Sequence, residues 1–140
     1  MKKIIPFFLF AVIIASCKKE TLAPLVTTND MVDSAAVVIA DGIFMPGPYG
    51  TTMGTASIIK AGNQYKALLE GFTVSNGPDL HVMLSAEPMP VNFIDLGSIK
   101  STNGNQLYDI PNATPNLNLY RYVSIHCVEY NHLFGYAELN

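Results

Sequence analysis

Residues 119–139 read LYRYVSIHCVEYNHLFGYAEL, and their alternation decides the class of fold. In an extended chain Val123, Ile125 and Cys127 share one face, and Tyr122, Ser124 and His126 take the other. Adjacent strand residues point to opposite sides, so His126 cannot sit beside the sulfur of Cys127 unless a bulge intervenes. The segment predicts two strands, 119–129 and 132–139.

The same grammar continues toward the N-terminus. Short runs rich in Val, Ile, Tyr, Phe and Leu predict strands at 35–41, 55–60, 64–72, 79–85, 93–100 and 105–110. Turn signals separate them: Pro46-Gly47-Pro48, Gly62-Asn63, Asn76-Gly77-Pro78, Asn103-Gly104-Asn105 and the stretch from Pro111 to Pro115. Over 79–85, Leu80, Val82 and Leu84 share one face, leaving Asp79, His81, Met83 and Ser85 on the other. No window offers a capped amphipathic helix of three turns. The expectation is an all-β domain, a single β-sandwich or partly closed barrel of about eight short antiparallel strands.

The first 16 residues are of another kind. Lys2 and Lys3 precede an apolar run from Ile4 to Ala15, too short for the roughly 20 residues that span a bilayer, and the pattern is that of a secretory signal. The run ends in Ile14-Ala15-Ser16-Cys17, which resembles the lipobox of bacterial lipoproteins. That resemblance implies cleavage before Cys17, a diacylglycerol thioether on its sulfur and an N-acyl chain such as palmitate. Several chains on one residue give lasting anchorage, where a single chain holds only marginally. Lys18 follows, so the aspartate that retains some lipoproteins in an inner membrane is absent, and the expected location is the outer membrane. The expected organisation is a signal peptide at 1–16, a lipidated Cys17 with a tether through 34, and a β domain at 35–140.

Composition narrows the partners. The 140-residue chain carries 8 bases and 11 acids, a formal net charge of −3. Removing residues 1–16 takes away Lys2 and Lys3 and no acid, leaving 6 bases against 11 acids, or −5. No basic cluster stands outside Lys18-Lys19, which argues against nucleic acid, since that needs a stripe of Lys and Arg. The expected partners are a lipid bilayer through Cys17 and a redox or other protein partner whose identity these residues do not give.

The body resembles the DM-thirteen domain family, described as an electron-transfer domain and found also in Skeletor-type animal proteins. The resemblance rests on Gly42-Ile43-Phe44, Gly54-Thr55-Ala56, and Phe72 leading into Asn76-Gly77-Pro78-Asp79-Leu80-His81-Val82. It continues through Leu84-Ser85, Leu96-Gly97, Gly104-Asn105-Gln106-Leu107-Tyr108, Ile110-Pro111, Val123-Ser124-Ile125-His126-Cys127, Phe134-Gly135 and Ala137-Glu138-Leu139. What it implies is redox chemistry at a single cysteine, here Cys127, as a bare thiol or as a ligand to haem or a metal. One departure stands beside it: the aromatic residue expected before the cysteine, usually Trp, is His126 here.

Of the two cysteines, only Cys127 lies in the body, so with Cys17 lipidated it has no intrachain partner. Free cysteine is often merely a small buried hydrophobe, and that reading stands beside the redox one. No Lys or Arg lies close in sequence to favour the thiolate, and Glu129 opposes it. Cys127, His132 and the upstream His81 echo the two-imidazole, one-thiolate set of blue-copper sites, without a methionine after His132 to serve as axial ligand. Otherwise His81, His126 and His132 read as half-exposed strand positions. Asn76-Gly77-Pro78-Asp79 reads as a shaped turn. No Gly-x-Ser-x-Gly elbow, phosphate loop, paired-cysteine motif or carboxylate pair marks a classical enzyme. The alternative function is a non-catalytic binding or adhesion module, with loops 45–54 and 111–118 carrying recognition.

Overall fold

The computed structural model describes residues 28–114 and 116–140. The leader, Cys17 and residues 18–27 lie outside the described residues. Nine strands form: β1 (Thr28–Asn29), β2 (Val37–Pro46), β3 (Thr52–Ala61), β4 (Gln64–Val74) and β5 (Leu80–Ser85). They are followed by β6 (Phe93–Ser98), β7 (Asn103–Asp109), β8 (Tyr122–Cys127) and β9 (His132–Glu138), with one 3₁₀ turn at Leu117–Leu119. All eight expected strands are present. They make one curled, open sheet in the order β1-β7-β4-β3-β2-β9-β8-β5-β6, a half-barrel.

Two devices curl it. β2 changes partner along its length, pairing with β3 from Val37 to Ile43 and with β9 from Phe44 to Pro46. The change brings β2 very close to β9: a Cβ on Gly42 would stand 2.0 Å from the Glu138 carbonyl oxygen, so only glycine fits. Bulges add bend and twist, as between Met53 and Thr55, where Gly54 takes φ 108°. The curl folds the inner face onto itself around one core. Ala56, Ile58, Leu69, Phe72 and Val74 from one side meet Leu80, Val82, Leu84, Val123, Ile125 and Phe134 from the other. At about 25 cal/mol per Å² of apolar surface removed from water, this cluster is the main source of stability.

A polar network ties the connection between β6 and β7 to β7 itself. Tyr108 donates its hydroxyl to Gln106 Oε1 at 2.6 Å, and Gln106 donates Nε2 to the Ser101 carbonyl at 2.8 Å. The Lys100 backbone N–H meets both Gln106 Oε1 and the Tyr108 hydroxyl. Burial raises the Tyr108 phenol well above its ordinary range, so it stays a neutral donor.

Two expectations are corrected. The segment 17–34 was expected to be a tether, yet its end belongs to the fold: Thr28–Asn29 pairs in parallel with Gly104–Asn105 of β7. Asp30 then accepts from the Leu107 N–H at 2.9 Å and pairs with Lys100 at 2.5 Å. Polar residues dock here because backbone and carboxylate make the bonds, leaving no apolar pattern to read. The second correction concerns His126, expected to be a half-exposed strand position on the outer face of β5 and β8. Met83, Ser85, Ser124 and His126 are buried there. Loop 86–92 folds over that face, with the Ser124 hydroxyl on the Pro88 carbonyl at 2.8 Å and the Ser85 hydroxyl on the Glu87 carbonyl at 2.7 Å.

Candidate functional site

Strand directions gather four connections at one end of the half-barrel: residues 47–51, 75–79, 99–102 and 128–131. Cys127 ends β8 at this mouth, opposite Leu80 of β5 and His132 of β9. Its side chain faces the core, as the alternation required, and is 1% exposed. The thiol donates to the Pro78 carbonyl at 2.9 Å, and the next residue's N–H, that of Val128, bonds the Asp79 carbonyl at 3.0 Å. The turn Asn76–Asp79 is therefore the lid over the sulfur. It is packed down by glycine: a Cβ on Gly77 would stand 2.6 Å from the tip of the Phe134 ring. Asp79 holds φ 49°, a left-handed conformation that Asp tolerates better than most residues. The turn is also tied to its neighbour, with Ser75 N–H on the Thr51 carbonyl at 2.9 Å and Thr51 N–H on the Ser75 hydroxyl at 3.1 Å.

The three histidines have three different fates. His81 sits on the outer face between two carboxylates, Nδ1 at 2.8 Å from Asp95 and Nε2 at 3.2 Å from Asp79. His126, its cross-strand neighbour, is 5% exposed rather than half-exposed, and its Nδ1 has no partner. Burial holds its protonation below the ordinary imidazole value; a bond with Asn131 works the other way, and the nearby His132 and His81 add to the lowering. His132 stacks on Tyr49, ring centres 3.6 Å apart and planes 3° from parallel, with Tyr130 at 6.0 Å.

This arrangement does not assemble the metal set of His81, Cys127 and His132. His81 lies on the face opposite the thiol, and the His132 ring is occupied by Tyr49. Among the described residues no group of three His, Cys, Asp or Glu comes together to hold a metal ion. Haem fits no better: the Cys127 sulfur is packed in the core and bonded to Pro78, with no open position for an iron atom. Nor can His126 serve such a group from beside the cysteine, since its ring is on the other side of the sheet. What the site can offer is a buried thiol beneath a short lid.

Sequence reasoning found Cys127 and the turn but not their contact, because nothing local links residue 78 to residue 127. Tyr49 and Asp95 were likewise missed as partners of His132 and His81.

Comparison with known proteins gives the family. A family model described as "Electron transfer DM13" matches residues 47–139, about two thirds of the chain, including both the Asn76–Asp79 lid and Cys127. Searches of curated proteins and of solved structures gave no match. The chain belongs to the DM13 family, whose description is that of an electron-transfer domain.

Proposed function

We propose that the protein is an exported electron-transfer module, held to the bacterial envelope by lipid on Cys17, most simply at the outer membrane, with the Cys127 thiol as its redox group. The observation that supports the reading best is the pairing of Cys127 with the Asn76–Asp79 lid. The sulfur's polar bond is to a carbonyl of that four-residue turn, so an opening of the turn would uncover it with the β5–β8 ladder still paired. In the closed state the thiol is buried, which keeps it from stray oxidants. In the open state it can exchange with a disulfide that a partner presents at the membrane surface: the thiolate attacks one sulfur, a mixed disulfide forms and the partner's other thiolate leaves.

The test compares wild type with Cys127→Ala. Alanine removes a small volume from the core and should cost about 1 kcal/mol while keeping the fold. Wild type should show slow thiol alkylation in the folded state, and a Gly77 or Pro78 variant that loosens the lid should speed it several-fold. Full complementation of a deletion strain by Cys127→Ala sinks the redox reading.

The second reading, a binding module, has its own support. Loop 111–118 lines two concavities at the other end, about 240 Å³ against Ile39, Ile58, Tyr120 and Leu139, and about 430 Å³ against Asn63, Tyr65 and Ile110. Complementation by the alanine variant would favour it.

A further inference from the structure

We propose that the mouth carrying Cys127 lies against a lipid bilayer of zwitterionic headgroups, with Tyr49, Val128 and Tyr130 as its interfacial rim. The inference rests on the reading of Cys17 as the lipid anchor and adds to it which end of the domain meets the membrane.

The topology decides the direction. β1 runs parallel to β7, and its first residue, Thr28, stands opposite Gly104 at the beginning of that strand. The chain arriving from Cys17 thus joins the domain at the mouth, the end where β8 finishes in Cys127. From Cys17 to Thr28 is 11 residue steps, a reach of at most about 40 Å. The ten residues of β3 alone rise about 33 Å, which is the scale of the half-barrel's length. Bringing the far end to the bilayer would need that segment nearly fully extended along the whole domain. Laying the mouth on the bilayer needs almost none of that reach.

The surface of the mouth suits the place. Tyr49 is 56% exposed, Tyr130 49% and Val128 44%, and the Tyr49 and Tyr130 rings flank His132 in one continuous patch. Amphipathic rings settle at headgroup level, with the apolar body inward and the polar tip wet. Residues 47–51, 75–79 and 128–131 contain no Lys or Arg, and Lys100 in the fourth connection is paired with Asp30. Attraction to anionic lipid therefore has no source here, and Glu129 opposes it. The far end also exposes apolar side chains, Val37, Val38, Ile39 and Leu119, so both ends must be read in one experiment.

The experiment uses the mature protein extracted from its envelope and placed in phosphatidylethanolamine vesicles doped with headgroup-spin-labelled phosphatidylcholine. Amide signals of residues 47–51 and 128–131 should lose intensity to paramagnetic broadening, while those of 37–40 and 117–121 keep theirs. In the Tyr49→Glu/Tyr130→Glu variant the selective loss should disappear although the protein remains in the membrane fraction. Broadening at the far end, or equally at both ends, overturns the inference. The mass of the N-terminal peptide separates the two levels. Without a diacylglycerol on Cys17 the anchor reading falls and takes the inference with it. With the lipid present and the wrong end broadened, only the inference falls.

Discussion

The two ends of the half-barrel are built differently. At the Cys127 mouth short connections are bonded to each other: Tyr49 N–H to the Leu133 carbonyl, Val74 N–H to the Thr102 carbonyl, Val128 N–H to the Asp79 carbonyl. Glycines there have no space for a side chain, as at Gly47, Gly50 and Gly77. At the far end, loop 110–121 is tied to the sheet at its two ends, Ile110 N–H to the Tyr65 carbonyl and Leu139 N–H to the Arg121 carbonyl, while Thr114 N–H to Pro111 and Leu119 N–H to Asn116 stay within it, and it borders concavities rather than filling them. The contrast teaches where precision is invested. The end that encloses a thiol is the more tightly packed, and the end that encloses nothing keeps open concavities.

The sharpest way to break this comparison is a pair of glycine substitutions. In Gly47→Ala the new Cβ would stand 2.3 Å from the Leu133 carbonyl oxygen, a backbone atom that cannot swing away. The expected loss is about 3 kcal/mol by urea unfolding. In Gly62→Ala nothing lies within 4 Å, but φ is 60°, and the expected loss is about 1 kcal/mol from backbone strain alone. Equal losses would mean the mouth is not the tighter end.

Asp30→Ala should come next, at about 2 kcal/mol, because it leaves the Leu107 N–H without its carboxylate and removes the partner of Lys100. A change under half that size would show that residues 28–30 contribute little to closing the sheet. The hydrogen bond and charge of Lys100, with the Leu107 N–H, also hold the Asp30 carboxyl below its ordinary value. Its contribution is therefore present above about pH 4 and lost as the pH falls through the depressed value.

The next effect is pH-dependent and belongs to the outer face beside the mouth. Because burial depresses the His126 imidazole, the unfolded chain takes up the proton first as pH falls from about 6.5. Stability is full above that pH and declines below it, toward the depressed folded value. The urea midpoint at pH 5 should therefore lie below that at pH 7.5, and His126→Gln should flatten the difference. A slope unchanged by that substitution would assign the effect elsewhere. The smallest change is expected at the far end, where Val38 is 56% exposed and Val38→Thr should move the midpoint by less than about 0.5 kcal/mol.

The strands were legible because their side chains announce them. Leu80, Val82 and Leu84, then Val123, Ile125 and Cys127, alternate in the sequence and face one core in the fold. The cysteine itself was visible as the sole thiol of the body. β1 was not legible, since Thr28 and Asn29 contribute backbone bonds to partners 76 residues away and carry no apolar signal. Nor was the fate of His126: alternation placed it on the outer face correctly but could not foresee that it is buried there, with Asn131, His132 and His81 around it. The lid over Cys127 escaped for a related reason, because a carbonyl accepts a thiol whatever its residue type.

By itself, then, the sequence determined the β class, the strand order along the chain and the inward face of Cys127, because a period of two is a property of the chain alone. Only the tertiary structure decided that the sheet curls into a half-barrel, that Pro78 caps the sulfur, and that His81 and His132 are held apart from it. Those outcomes depend on contacts between residues tens of positions apart, which form once the sheet closes and which no local pattern encodes.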